Sequence, residues 1–235
     1  MDALVYTERV GGSSPSPPTI RRRALASVFG LILAAWGLAP MDAAFAEGAS
    51  MTFRVEPLEA GRCGARCPHV IVADGVIETS TPQAFVDFLK SGAEDRNLRR
   101  IVFFNSRGGN VVASMAFGHI LRELRVAGVV GRFHISGDSG PYVGECLSAC
   151  VYAMMGAVRR VAPPASVVAL HRMSAPSPMS SDLAEPRLVA LVARYAQRMG
   201  VDPALVRSAE SLAPGAVRVL TRREIRAWRL ATARF

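Results

Sequence analysis

The chain alternates between short apolar runs of strand period and longer stretches with apolar residues at helical spacing. Residues 70–77 are β-branched and apolar, which predicts a strand. Thr79 to Thr81 supply cap residues, and Pro82 stands where a first helical turn tolerates it. A helix is expected to about residue 91, with Phe85, Phe88 and Leu89 on one face. Gly92, Asp95 and Asn97 then break the chain before a strand over 100–105, completing a β-α-β unit.

The same alternation continues. Ser106-Arg107-Gly108-Gly109-Asn110 leads into a helix over 111–125, whose apolar face is expected to hold Val112, Met115, Ile120 and Leu124. A strand over 129–135 precedes a polar loop over 136–145. Cys146-Leu147-Ser148-Ala149-Cys150 then opens an apolar, small-residue helix to about 157. Pro163-Pro164 turns the chain into a strand over 166–170 that ends at His171. A last amphipathic helix is expected over 185–199, carrying Leu188, Leu191, Val192, Tyr195 and Met199.

Half of the 235 residues are hydrophobic and 20% are charged, which suits an ordered globular chain. The formal charge is +9, and every basic residue except Lys90 is Arg. These Arg residues are scattered singly or in pairs without aromatic interleaving, so the sequence does not point to nucleic acid. Attraction to an anionic membrane surface or to acidic substrates stays open.

The N-terminus has a different character. Arg21-Arg22-Arg23 precede an uncharged apolar run over 24–38, followed by Ala44-Phe45-Ala46, the three parts of a secretory signal peptide. Cleavage is expected after Ala46. The division is then 1–46, extension and signal peptide, and 47–235, one α/β domain. The expected location is exported, periplasmic. A run of this length is short for a bilayer-spanning helix, and an inner-membrane anchor over 24–38 is the alternative. Residues 1–46 carry four Arg and three acids, so the remainder stays basic without them.

All four cysteines, Cys63, Cys67, Cys146 and Cys150, follow the leader. An even count in a chain addressed to an oxidising compartment favours disulfides, and two local pairs are preferred over the other pairings. A four-thiolate zinc site is the competing reading; the preferred expectation is no metal and no cofactor. The glycine pair forms neither a dinucleotide fingerprint nor a P-loop.

Ser148 falls at or near a helix N-terminus, where free N–H groups and the helix dipole favour developing negative charge. The plainer alternative is that it only caps the helix. His171, at a strand end, can serve as a neutral imidazole base for a serine, or be a buried histidine satisfied by backbone.

Taken together, Phe104-Asn105-Ser106-Arg107-Gly108-Gly109-Asn110, Gly144-Glu145-Cys146-Leu147-Ser148-Ala149-Cys150 and Ala169-Leu170-His171 resemble the Clp protease proteolytic subunit and crotonase superfamily, nearest to its exported Clp-protease-like members. The resemblance spans about residues 70–232. It implies stacked β-β-α units around a curved sheet, Ser148 as nucleophile, His171 as base, and an oxyanion hole made by the backbone N–H groups of Gly109 and Ala149.

The departure lies in the acid. In Clp protease an aspartate just precedes a stretch that Arg218-Val219-Leu220-Thr221 resembles, yet here Ala216 and Val217 stand there. Asp182, Asp202 and Glu210 are near in sequence, but surface charge or capping accounts for them more simply. The leading expectation is an ATP-independent serine hydrolase or peptidase working with a Ser-His dyad. A degenerate binding or assembly module on the same fold is the alternative. Acyl-CoA chemistry of the crotonase type comes third, disfavoured by the scarcity of acids near the oxyanion segments. Expected partners are peptides or unfolded protein segments and further copies of the chain; an ATP-driven unfoldase is not expected outside the cytoplasm.

Overall fold

A computed structural model describes residues 48–58, 67–92, 95–133, 143–174 and 186–233. The expected leader over 1–46, Cys63 and Asp182 lie outside the described residues. Among the described residues no helix is long and apolar enough to cross a membrane.

The fold is α/β, as expected. In chain order the elements are β1 (Thr52–Pro57), β2 (His69–Asp74), α1 (Thr81–Ser91), β3 (Leu98–Asn105), α2 (Val111–Glu123), β4 (Ala127–Val130), β5 (Glu145–Leu147), α3 (Ala149–Gly156), β6 (Arg159–Val161), β7 (Val167–His171), α4 (Pro186–Arg198), α5 (Ala204–Glu210), β8 (Val217–Val219) and α6 (Arg222–Ala227). One sheet runs β1-β2-β3-β4-β6, parallel except for β1. A smaller sheet, β5-β7-β8, joins β5 parallel and β8 antiparallel to β7.

The apolar run in β2 is continuous because both faces are covered. Ile71 and Ala73 enter the main core with Phe85, Phe104 and Phe117. Val70 and Val72 meet Phe103 and Phe133 on the other side, where the two Phe rings stack edge to face at 5.0 Å. In the main core Phe53, Phe85 and Phe117 form a further ring cluster, in which Phe117 meets both of the others edge-on.

Every residue of α3 is buried. It packs on α2 where Gly156 meets Gly118 so closely that a Cβ on Gly156 would collide with the Gly118 carbonyl. That contact requires glycine for space. α2 itself begins at Asn110, whose side chain accepts from the Ala113 N–H at 2.9 Å, a helix N-cap.

Several expectations are corrected. The strand expected over 129–135 is β4 and ends at Val130, and Cys146 lies in β5 rather than opening a helix. On α2 the core-facing residues are Ala113, Met115, Phe117 and Leu121, while Val112 is 58% exposed and Leu124 39%. On α4 Leu191 also faces solvent, whereas Val192 and Tyr195 are buried.

Behind α3, the Arg160 side chain is 2% exposed and ties four segments together. Nε donates to the Leu230 carbonyl, Nη1 to those of Met155, Ala157 and Met199, and Nη2 to that of Arg229. Burial, and then the nearby Arg122, pull its pKa down to about 10, which still leaves it charged at neutral pH.

Candidate functional site

The glycine loop and the serine turn meet at the junction of the two sheets. Ser106 bridges to Cys146, with its N–H on the Glu145 carbonyl at 2.8 Å and its own carbonyl accepting from Leu147 at 2.9 Å. The Gly108 N–H then donates to Ser106 Oγ at 3.2 Å. Gly108 has φ +107, and a Cβ there would come within 2.8 Å of the Ser148 Cβ and 3.0 Å of the Ala149 nitrogen. Only glycine allows this approach.

Gly109, at φ +132, lies against Ile77. Ile77 donates to the Gly108 carbonyl and accepts from the Asn110 N–H, both at 2.7 Å. In a trans peptide the N–H points opposite to its C=O. The Gly109 N–H therefore faces away from Ile77.

Ser148 joins β5 to α3 at φ +53 and ψ −124, a backbone region uncommon for a residue with a side chain. Its N–H donates to the Ala169 carbonyl at 2.8 Å and its carbonyl accepts from Val151 at 3.0 Å. Its hydroxyl makes no capping bond to the helix, so the plain N-cap alternative fails. Such a strand-to-helix turn holds a short side chain out at the mouth of a helix N-terminus.

His171 ends β7, the strand next to β5. Leu147 pairs with Ala169, so Ser148 and His171 emerge at the same end of two parallel strands, which lie about 4.8 Å apart. The His171 Nδ1 lies 2.6 Å from the Arg172 carbonyl. A carbonyl only accepts, so Nδ1 carries the hydrogen and the lone pair of a neutral ring sits on Nε2.

The place of the expected acid is occupied by Val217, which pairs with His171 across the sheet. Of the nearby acids, Asp202 caps a turn, accepting from the Ala204 N–H at 2.8 Å. Glu210 departs from the sequence reading. Its side chain is 15% exposed, Oε1 accepts from the Met173 N–H at 3.0 Å, and Oε2 lies 4.0 Å from Arg172 Nε. Burial raises its pKa above the usual carboxylate range, offset in part by the Met173 N–H, Arg172 and His171. Sequence reading set this residue aside as surface charge or capping because α5, which carries it and buries it, was not anticipated.

Cys146 and Cys150 form a disulfide around Ser148. Cys67 is also disulfide-bonded. Three of the four sulfurs of the alternative zinc site are thus tied up in disulfides. Among the described residues no group of His, Cys, Asp or Glu is arranged to hold a metal ion. His69, at the start of β2, pairs with Asp95 at 2.6 Å, a contact that holds Asp95 below its ordinary pKa.

The sequence matches no protein-family model and no curated protein. Among solved structures, the chain is similar to a variant of the 1510-N membrane-bound stomatin-specific protease in complex with a substrate peptide, at 14% identity and a TM-score of 0.48, over 71% of this chain and 73% of that one. It is also similar to ClpP1 from Listeria monocytogenes, at 14% identity and a TM-score of 0.48, over 73% of this chain and 91% of that one.

Proposed function

We propose that this chain is an exported, ATP-independent serine hydrolase acting on peptides or unfolded protein segments. Ser148 is the nucleophile, His171 the general base, and the N–H groups of Gly109 and Ala149 form the oxyanion hole. The observation that carries the reading is the turn at Ser148: a strained backbone, a hydroxyl not spent on capping, and a neighbouring strand that ends in His171. Residues 1–46 act as the leader, removed after Ala46, or residues 24–38 stay as an anchor in the inner membrane.

In this mechanism Ser148 Oγ forms a bond to the substrate carbonyl carbon as its proton passes to His171 Nε2. The carbonyl oxygen becomes an oxyanion, stabilised by donors already in place. Collapse breaks the C–N bond, and the imidazolium gives its proton to the departing amine. Water then repeats the sequence on the acyl-enzyme and releases the acid.

A second reading is favoured by Val217, an apolar residue that pairs directly with His171 across the sheet. On that reading the fold persists as a binding or assembly module. Labelling of the purified full chain with a fluorophosphonate, located by peptide mass, separates the two. Modification at Ser148 that His171→Ala abolishes supports the hydrolase. A folded, oxidised sample with no modification at Ser148 refutes it and favours the module.

A further inference from the structure

The hydrogen bonds around His171 form a chain that ends on a carboxylate. The Nδ1–H donates to the Arg172 carbonyl at 2.6 Å. That carbonyl belongs to the same peptide unit as the Met173 N–H, which donates to Glu210 Oε1 at 3.0 Å. One peptide group thus lies between the imidazole and Glu210. Hydrogen bonds in series polarise one another, and an anion at the N–H end increases the negative charge on the carbonyl oxygen at the other.

We infer that Glu210 is a positioning residue of this site, acting on His171 through the Arg172–Met173 peptide. The inference rests on the hydrolase reading above and names its third member. Glu210 fixes the turn after β7, so the Arg172 carbonyl holds the ring in the Nδ1–H form. Its charge, relayed through the peptide, stabilises the imidazolium that forms when Ser148 loses its proton.

The surroundings suit a carboxylate that acts from a fixed place. The groups that feel it are Arg172 and His171 from the end of β7, and the buried Tyr152 on α3, whose pKa is raised chiefly by its own burial and further by the negative charge of Glu210. The Arg172 Nε is buried without a hydrogen-bond partner and points its charge at Glu210 from 4.0 Å. That cation favours the ionised carboxylate against the burial that opposes it.

The test compares the full-length wild type with Glu210→Gln and Glu210→Ala. Glutamine can still accept from the Met173 N–H but carries no charge. The relay predicts that Glu210→Gln slows fluorophosphonate labelling of Ser148 about tenfold, less than loss of a directly bonded acid because the effect passes through a peptide. It also predicts that the acid limb of the labelling profile moves to lower pH, which a merely structural role would not produce. Glu210→Ala should lose more.

A second measurement does not depend on activity. The His171 Nδ1–H proton resonance should shift upfield in Glu210→Gln, because its acceptor carbonyl is less polarised. Labelling and resonance both unchanged in that variant would overturn the relay and leave the Ser148–His171 reading standing. A resonance that shifts between wild type and Glu210→Gln, with the wild type never labelled at Ser148, would support the relay and overturn the hydrolase reading.

Discussion

Val217 on β8 and His171 on β7 form a directly opposed antiparallel pair, so their side chains share one face of the small sheet. Opposed Cβ atoms in such a pair lie about 5 Å apart. The position next to His171 is occupied by an apolar residue that is itself 43% exposed.

Val217→Asp should therefore place a carboxylate beside the imidazole at little cost in stability. An increase in the rate of Ser148 labelling, reversed by Val217→Asn, is the expected outcome. An unchanged rate would mean that the third position is not open to a residue on β8.

Ser148 holds a left-handed backbone that costs about 1–3 kcal/mol for a residue with a Cβ. Ser148→Gly should relieve it, raising stability by about 1 kcal/mol and Tm by a few degrees for a chain of this size. Ser148→Ala removes the hydroxyl but keeps the Cβ, and should leave Tm near the wild-type value. Thermal melts of both variants check the assignment of strain at Ser148.

The disulfide between Cys146 and Cys150 spans the end of β5 and the first turn of α3, with Ser148 between them. We expect that oxidation preorganises the serine. Cys150→Ser should cost about 2 kcal/mol, from the closure of so short a loop, and should slow Ser148 labelling in protein that remains folded. Labelling at the wild-type rate would discard the idea.

Arg160→Lys should be severely destabilising, by about 3 kcal/mol, despite conserving charge. A single ammonium cannot reach the five carbonyls that the guanidinium serves from three nitrogens. Urea unfolding midpoints measure the loss.

Glu210 also gives a pH dependence of stability. Burial raises its pKa above the ordinary 4.5, so the folded chain binds this proton more tightly than the unfolded one. Its stabilising contribution is present below pH 4.5 and is lost as pH rises through the folded value. Glu210→Gln should remove that slope, so its stability relative to wild type should increase across the same window, as read from denaturation midpoints at stepped pH.

Much of the α/β succession was legible in the sequence, because the strand run at β2 and the helix phases of α1 and α4 follow from local apolar period. Short elements were not legible. β5, β6 and β8 have three residues each, too few for a period to register, and they exist because a neighbouring strand supplies their hydrogen bonds. The orientation of α2 was misread at Val112 and Leu124 because apolar spacing alone did not show which stripe meets the buried α3.

The sequence by itself determined the candidate chemistry: a glycine pair, a serine between two cysteines, a histidine after a short apolar strand, and no aspartate where the resemblance expects one. What the tertiary structure alone decided is how these parts relate. It set Gly108 against Ser148, Val217 opposite His171, and Glu210 one peptide unit away from the imidazole. Glu210 lies 37 residues beyond Met173, and no local pattern encodes such a contact. It arises when α5 packs against the end of β7 and withdraws a carboxylate from water beside a backbone N–H that needs an acceptor.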